Sequence, residues 1–394
     1  MQLAIASPSY SIYSETFIAE QFRSLPWNMR IHGHPIADET EPGGNIHPFR
    51  SIRNIIDAAS FVIFKNHELN NKQGRELLLQ FKARQQEREL IRRFKKNNIK
   101  ICLANFGTMG ANLLTSCEKA NVKLVTHFHG MDAHAKQTLD AYQERYQRLS
   151  QSSSSHFIAV SHGMIKSLHN MGIPQERIHL IRYGVDPKKF PKKHFFPDTP
   201  HFLAVGRFVD KKAPYLTLLA FSEVVKQFPK AKLTFAGDGD LLETTTNLAQ
   251  ALNISENVNF PGVLSSTQVS SYMQEATAYI QHSLEPHHGP SQGDREGTPV
   301  TILEAMMVGL PVVSTFHAGI QEVVDHETNG FLVPERNVSS MAKYMIQLAK
   351  SPPLCETLGN NAHHKAIQKF TLQNYIQNIQ KILQVAIHDN NNSK

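Results

Sequence analysis

The sequence predicts an α/β protein with two doubly wound, Rossmann-like domains and a cleft between them. Short apolar runs alternate with segments of helical periodicity almost throughout the 394 residues. This alternation is typical of parallel sheets built from βαβ units. It is interrupted by PKKFPKKHFFPDTP, residues 187–200, whose prolines and lysines suit neither a helix nor a strand. The chain is also long enough for two cores.

Apolar runs predict buried strands in both halves of the chain. In the first half these are QLAIAS, KICLANF, KLVTHF, HFIAVS and IHLIRYG. In the second half they are HFLAVGR, KLTFAG, VNFPG, AYIQHS, PVVST and GFLVP. We therefore expect a first domain over residues 1–190 and a second over 191–370. An amphipathic helix over 371–388 and a disordered tail at 389–394 should follow.

The composition is that of an ordinary globular protein, with 41% hydrophobic and 19% charged residues. No apolar run approaches the roughly 20 residues that a membrane span needs. The start, MQLAIASPSY, lacks the basic and apolar regions of a signal peptide. The three cysteines are few and odd in number, which favours a reducing, cytoplasmic location.

The net charge of +7 is unevenly distributed. Residues 1–200 hold 27 Lys and Arg against 17 Asp and Glu, a net +10, whereas the remainder holds 14 against 17, a net −3. Such asymmetry favours an anionic partner for the first half, either nucleic acid or a membrane, and a solvated basic face is an equally good interpretation. The basic segment 81–100 is predicted to be a helix with Leu90, Ile91 and Phe94 on its core side. Its charged side is either solvated or a weak contact with an anionic membrane.

The stretch DREGTPVTILEA places Glu296 and Glu304 eight positions apart. The spacing alone is uninformative, because two other glutamate pairs in the chain share it. Pro299 suits the first turn of a helix over VTILEAMMV, and Gly309 suits its end.

The start of this helix should form an anion site, because the backbone N–H groups of Val300 and Thr301 lack partners within the helix. At about 1.5 Å per helical residue, the two carboxylates would lie on the order of 10 Å apart. That separation suits two sugar rings bridged by a diphosphate, or else two surface glutamates.

A second candidate element is VGRFVDKKAP, residues 205–214, where a strand turns into a helix. Arg207 and Lys212 lie at the turn. Two cations at the carboxyl end of a parallel strand suit a diphosphate, although two solvated charges would give the same pattern.

Together these segments resemble glycosyltransferase family 4, whose members are retaining enzymes with the GT-B fold. The resemblance extends over most of the chain through SETFI (14–18), FGTMGAN (106–112), HGMD (129–132), SHGM (161–164), YGVD (183–186) and AGDGDL (236–241). SETFI and FGTMGAN are most similar to the colanic-acid branch, which serves exopolysaccharide assembly.

The resemblance implies transfer of a hexose from a nucleotide-sugar, most often UDP-linked, to a glycan or a lipid-linked polysaccharide precursor. By position, Glu296 would hold the donor hexose and Glu304 the ribose. Arg207 and Lys212 would neutralise the leaving diphosphate, and His129 would approach the sugar from the first domain. Backbone groups of four further residues would complete the donor pocket: Gly297, Thr298, Val300 and Thr301. No metal cofactor and no nucleic acid are expected.

The chain departs from the family pattern in two places. PSYSIYSETF follows the first strand where many relatives have a Gly-Gly loop, so the resemblance assigns no role to residues 9–16. Lys211 and Ala213 replace the commoner Glu and Gly beside the family's lysine.

Other interpretations compete with these assignments. Asp238 and Asp240 form a D-x-D that in another glycosyltransferase fold binds a metal, although a glycine turn is favoured here. HFHGMDAH resembles a zinc motif, but its spacing is displaced by one residue. The same fold also serves sugar phosphorylases and phosphate-sugar synthases. A basic nucleic-acid-binding or scaffold protein would explain the charge but not the cleft residues.

Overall fold

The computed structural model describes residues 1–8, 15–32, 37–39, 47–48, 72–289 and 291–389. Within them the first domain is an eight-stranded sheet in the order β4-β3-β2-β1-β5-β6-β7-β8. Strands β2, β1, β5, β6, β7 and β8 are mutually parallel. At one side of the sheet, β3 pairs antiparallel with both β2 and β4. The strands are β1 (Leu3–Ser7), β2 (Met29–His32), β3 (Ala37–Glu39), β4 (His47–Pro48), β5 (Ile101–Asn105), β6 (Lys123–His127), β7 (Ser155–Ala159) and β8 (Ile178–Leu180).

The second domain is a parallel six-stranded sheet in the order β11-β10-β9-β12-β13-β14. Its strands are β9 (His201–Val205), β10 (Lys232–Ala236), β11 (Val258–Asn259), β12 (Ala278–Ile280), β13 (Val312–Thr315) and β14 (Gly330–Val333). The predicted α/β class with two doubly wound sheets is therefore confirmed, and each predicted apolar run contains a strand.

Helices connect the strands on both faces of the sheets. Those of the first domain are α1 (Thr16–Ser24), α2 (Lys72–Lys96), α3 (Gly107–Ala120), α4 (Met131–His134), α5 (Lys136–Gln151) and α6 (His162–Asn170). Those of the second are α7 (Pro214–Gln227), α8 (Leu242–Ala251), α9 (Ser266–Glu275), α10 (Val300–Val308), α11 (Val338–Lys350) and α12 (Pro352–Lys369), and α13 (Leu372–His388) ends the described chain. Short 3-10 turns lie at Gln175–Arg177, Asp210–Lys212, Ser255–Asn257 and Ala318–Glu322.

The strands β2, β3 and β4, at one side of the first sheet, were not predicted. The sequence of β2 is MRIH, in which only Met29 and Ile31 are apolar, and the charged Arg30 lies between them. The structure nevertheless buries Arg30, whose guanidinium lies 3.9 Å from the centre of the Phe22 ring. Arg30 is therefore buried against a residue outside the strand, and such a contact cannot be read from the local sequence pattern.

The final helix α13 returns to the first domain. The crossing is held by backbone hydrogen bonds on either side of Thr371: Val185 N donates to Phe370 O at 2.9 Å, and Leu372 N donates to Val185 O at 2.9 Å. α13 then packs against α1, β5 and β6. The predicted disordered tail lies outside the described residues, except for Asp389.

Helix α2 contains most of the predicted basic helix. Leu90 and Phe94 are buried, as the helical periodicity indicated, and Ile91 is half-buried. Arg92 and Arg93 form ion pairs with Glu89, so part of the basic charge is neutralised within the helix. Among the described helices, none is both long and apolar enough to cross a membrane.

Candidate active site

A pocket of about 360 Å³ lies between the two domains, beyond the carboxyl ends of several strands. Ligands of open parallel sheets bind at this edge. All the residues predicted from the sequence line this pocket: His129, Arg207, Lys212, Glu296, Gly297, Thr298, Val300, Thr301 and Glu304. A wider cavity of about 740 Å³ adjoins it on the linker side and shares Glu304 as a wall.

The second-domain wall of the pocket comprises Arg207, Lys211, Lys212, Glu296 and the start of α10. Lys212 Nζ lies 2.9 Å from Glu296 Oε1, and Ser283 Oγ donates to the same oxygen at 3.3 Å. Burial opposes ionisation of Glu296, but the charges of Lys212 and Lys211 lower its pKa to about 2. Burial in turn lowers the pKa of Lys212. The carboxylate is therefore charged at neutral pH and fixed in position.

Arg207 is exposed at the same wall, and the turn that follows it carries backbone strain. Ala213 adopts the left-handed conformation with φ 37°. A glycine, which is commoner in the family at this position, would adopt that conformation without a Cβ penalty. Pro214 then begins α7. The substitution noted in the sequence therefore falls on a position whose backbone favours glycine.

His317 was not predicted from the sequence, yet it holds the backbone of Glu296. The Glu296 N–H donates to His317 Nε2 at 3.1 Å, and His317 Nδ1 lies 2.6 Å from Glu335 Oε1. Because Nε2 accepts, Nδ1 carries the proton and donates it to the carboxylate. The only local signal was a histidine two positions after the end of β13.

Helix α10 begins at the pocket. Pro299 occupies the N-cap with φ −64°, one position before the predicted first turn. Ile302 N and Leu303 N donate to Pro299 O, whereas no hydrogen bond from the N–H groups of Val300 and Thr301 to a described residue is present. These two N–H groups and the positive end of the helix dipole are therefore available to an anionic ligand, in the same pocket as Lys212.

Glu304 lies further along α10 and is only 8% exposed. Its side chain has no hydrogen bond or ion pair with any residue that the structure describes. Burial raises its pKa to about 7, although the charge of Lys189 acts in the opposite direction. A buried carboxyl group without a partner is costly unless a ligand supplies hydrogen-bond donors.

The first-domain wall of the pocket comprises Phe17, Phe106, His129, Met131 and Tyr183. The His129 ring packs 4.6 Å from both the Phe17 and the Phe106 ring centres. Tyr183 stacks on Phe17 at 4.4 Å. Apart from Glu15 at its edge, no formally charged side chain contributes to this wall among the described residues.

The ring nitrogens of His129 are both hydrogen-bonded inside the protein. Nε2 lies 3.1 Å from Asn105 Oδ1, and Nδ1 lies 2.6 Å from Tyr183 Oη. Since the amide oxygen only accepts, Nε2 carries the proton and Nδ1 accepts from the tyrosine. Burial, with the nearby His127, lowers the pKa of His129 well below its ordinary value. The ring is therefore neutral and shapes the wall without a free nitrogen for proton transfer.

Asn105 extends this network away from the pocket. Its Nδ2 donates to Gln21 Oε1 at 2.9 Å, and Gln21 Nε2 donates to Tyr375 Oη at 2.7 Å. All three side chains are buried. The returning helix α13 thereby supports the position of His129.

Residues of the two alternative metal motifs make hydrogen bonds to the backbone. The Asp132 carboxylate accepts from the backbone N–H groups of Gly107, His129 and Gly130 at 2.7, 3.0 and 2.9 Å. Asp238 accepts from Gly239 N at 2.8 Å within a turn whose flanking glycines have positive φ. No cluster of metal-binding side chains occurs in the described part of the chain.

The domains also contact each other directly. The Glu322 carboxylate of the second domain accepts from His162 N at 2.8 Å, at the start of α6, and pairs with Arg182. Thr298 Oγ1 donates to Val160 O at 2.7 Å. These contacts join the two domains across the cleft.

The paired parallel sheets with a cleft pocket between them define the GT-B fold. The fold is that of a Rickettsia africae glycosyltransferase, with a TM-score of 0.72 and 16% identity over 98% of this chain and 99% of that one. It is equally that of Anabaena HepE, solved with UDP, with a TM-score of 0.71 and 16% identity over 98% and 100%. At such identity the likeness shows the fold alone.

Two protein-family models match the sequence. Residues 185–365 match the family of glycosyl transferases group 1, and residues 62–189 match Glycosyltransferase Family 4. The chain therefore carries a group 1 glycosyl transferase domain and a Glycosyltransferase Family 4 domain, in agreement with the resemblance that its motifs indicated.

Two curated relatives carry names from exopolysaccharide synthesis. The putative colanic acid biosynthesis glycosyltransferase WcaL of Escherichia coli K12 is 30% identical over 62% of this chain. The amylovoran biosynthesis glycosyltransferase AmsK of Erwinia amylovora is 32% identical over 64%. The matched region spans 60% and 61% of the length of these two relatives.

Proposed function

We propose that this protein transfers a hexose, with retention of configuration, from a UDP-linked donor to a glycan or a lipid-linked polysaccharide precursor. One observation carries the proposal: a single pocket holds both a cationic wall with a helix N-terminus and a buried carboxyl group that has no partner among the described residues. The cations Arg207 and Lys212 and the start of α10 suit a diphosphate, and Glu304 suits a ribose diol.

The proposed chemistry follows from the charges. Breaking the sugar–phosphate bond places negative charge on the leaving diphosphate, and fixed cations with a helix N-terminus stabilise that charge. Glu296, held ionised by Lys212, binds hydroxyls of the donor hexose. Retention follows if the acceptor hydroxyl enters on the face of the leaving group and a phosphate oxygen takes its proton.

The same cations support transfer without a metal ion, because they supply the charge that a bound Mg²⁺ would otherwise provide. Activity in excess EDTA should equal activity in buffer. Loss of activity that Mn²⁺ restores would contradict this proposal and return attention to Asp238 and Asp240.

The names of the relatives support a role in exopolysaccharide assembly. The test is mass spectrometry of products formed from a panel of UDP-sugars with glycan and lipid-linked acceptors. A product heavier than the acceptor by one hexose is the expected result. Release of hexose 1-phosphate from a glycan and inorganic phosphate, without a nucleotide-sugar, would indicate a sugar phosphorylase, and failure to bind any uridine nucleotide would overturn the assignment.

A lipid-linked acceptor requires the protein to work at the cytoplasmic face of a membrane, and the exposed basic face of α2 suits such a contact. Arg84, Arg88, Lys95 and Lys96 are exposed on it. Each basic side chain near an anionic surface contributes about 1 kcal/mol, so four would give weak, salt-sensitive docking.

The docking is measured by sedimentation with anionic and neutral liposomes. Replacing these four residues with Gln should abolish binding to the anionic liposomes. The matched control replaces exposed second-domain lysines, Lys226, Lys230, Lys343 and Lys350, and changes the net charge equally. Equal losses in both variants would show that overall charge, and not this face, is responsible.

A further inference from the structure

We propose that Phe106, with Met131 beside it, forms a stacking platform for a pyranose ring of the acceptor. This inference rests on the proposed glycosyl transfer and adds a subsite on the first-domain wall.

The backbone of Phe106 is in an unusual conformation. Its φ is 73° and its ψ is 138°, a region that side chains with a Cβ rarely occupy. Phe106 is the only aromatic residue with positive φ among those that the structure describes; three of the others are asparagines.

Neighbouring hydrogen bonds hold this conformation. Phe106 N donates to His127 O at 2.8 Å, and Gly110 N donates to Phe106 O at 3.1 Å. Gly107 N is bound by the Asp132 carboxylate. A glycine would satisfy the same bonds without steric cost, since they involve only the backbone. A phenylalanine is therefore unfavourable at this backbone conformation, which indicates that the ring itself has a role.

The ring lies in the pocket wall and is only partly buried. It meets His129 edge-on, with ring planes at 64°, so the fixed imidazole sets its orientation. Met131 lies in the same wall and is 55% exposed, which is unusual for a large apolar side chain in a polar cleft. Together they present an apolar surface to the pocket.

The chemistry of this surface matches one kind of ligand. A pyranose ring has an apolar C–H face, which packs on the negative face of an aromatic ring, and hydroxyls at its edge. The proposed function assigns the donor diphosphate to Arg207 and Lys212 and the donor hexose to Glu296, all on the second-domain wall, so the apolar surface at Phe106 is left for a sugar of the acceptor. Thr16, at the edge of the same pocket, lies where it can hydrogen-bond ring hydroxyls.

The test uses saturation-transfer NMR on the full chain with saturating UDP. The probes are methyl pyranosides of glucose, galactose, mannose and fucose. We expect saturation to be strongest on the protons of one C–H face of at least one probe. Phe106→Gly should reduce this signal by about tenfold, as expected for loss of an aromatic contact. Phe106→Leu, which keeps an apolar group but no ring, should lose most of the signal as well.

Thermal unfolding supplies an independent readout. Phe106→Gly should unfold at the same or a higher temperature than the parent, because glycine relieves the strain at φ 73°. Asn121→Gly, at the left-handed C-cap of the same helix, is the matched control and should leave the sugar signal unchanged.

Three results would overturn the inference: no saturation of any probe on the parent protein, an unchanged signal in Phe106→Gly, or an equal loss in Asn121→Gly. UDP affinity is measured separately by calorimetry. If the parent fails to bind UDP, the proposed function fails; if UDP binds and no sugar does, only this subsite fails.

Discussion

The two walls of the cleft pocket differ in how they are built. The second-domain wall contains two buried or half-buried ion pairs, Lys212 with Glu296 and Lys211 with Asp294, each at 2.9 Å, together with the exposed Arg207 and the buried Glu304. The first-domain wall is aromatic and almost uncharged. Yet the first half of the chain carries the excess positive charge, +10 against −3. The net charge of the first half therefore reflects charged residues outside the pocket and does not indicate which side chains line its pocket wall.

The contrast indicates a division of tasks. Charges at fixed positions stabilise a leaving group, but each buried charge requires a partner, and the ion pairs of the second-domain wall supply it. The first-domain wall needs a defined shape, and a chain of neutral hydrogen bonds from Tyr183 through His129 and Asn105 to Gln21 provides it. The following four predictions test this division.

The largest effect should come from Lys212→Ala. It leaves Glu296 charged and buried without its ion-pair partner, and it removes a cation from the proposed diphosphate site. We expect the free energy of unfolding to fall by about 3 kcal/mol. The rate of transfer should fall roughly a hundredfold or more. Chemical denaturation and steady-state kinetics measure the two effects.

Lys226→Ala is the control, because Lys226 is paired with Glu223 on the exposed surface and such pairs contribute at most about 1 kcal/mol. If both variants behave alike, the charged wall has no special role.

The second prediction separates the two glutamates of the charged wall. With Glu296 at the donor hexose, as proposed, Glu296→Ala should mainly lower kcat, since this carboxylate would act where the bond breaks. Glu304→Ala should mainly raise the donor KM, because it binds away from the reacting atoms. Loss of a charged hydrogen-bond partner is worth roughly 1.5–3 kcal/mol, so each constant should change about ten- to a hundredfold. Small and equal changes in both constants would indicate that neither carboxylate touches the donor.

The third prediction concerns pH. Burial raises the pKa of Glu304 to about 7, and the ionised form is the better acceptor for a ribose diol. The Kd for UDP-glucose should therefore fall by about tenfold between pH 6 and pH 8. The diphosphate of this ligand does not titrate in that range. Calorimetry measures the change, and Glu304→Gln should bind with the same affinity at both pH values.

The same pKa has a consequence for stability. The folded protein binds more protons than the unfolded chain between the ordinary value of 4.5 and about 7. The contribution of Glu304 to the free energy of unfolding of the ligand-free protein therefore falls as pH rises through this window. A Glu304→Gln variant whose stability profile matches that of the parent would contradict this assignment.

The smallest effect should come from the neutral network behind the first-domain wall. Tyr375→Phe removes the oxygen that accepts from Gln21 Nε2. We expect a loss of about 1 kcal/mol in the free energy of unfolding and a change of less than about threefold in kcat. Tyr142→Phe is the control, because its hydroxyl bonds only the exposed Asn112 in the structure as described. A loss of kcat as large as that of Lys212→Ala would show that the wall acts through more than its shape.

Much of the molecule followed from local patterns in the sequence. The apolar runs predicted the central strands because a buried parallel strand leaves a continuous apolar signature. The turn after β9 and the segment from Glu296 to Glu304 were recognisable because all their residues are close in the chain. Each functional residue assigned to these segments lines the pocket.

The tertiary structure alone decided the partners of these residues. Glu322 and His162 are 160 positions apart, and Gln21 and Tyr375 are 354 apart. The tertiary structure also decided three further features. His317 supports the backbone of Glu296, both ring nitrogens of His129 are hydrogen-bonded, and α13 returns to the first domain. Helical and strand periodicity report which face of an element is buried, but not which element covers it. Contacts of this kind arise when separate elements pack, and a side chain's burial, pKa and free hydrogen-bonding groups depend on them.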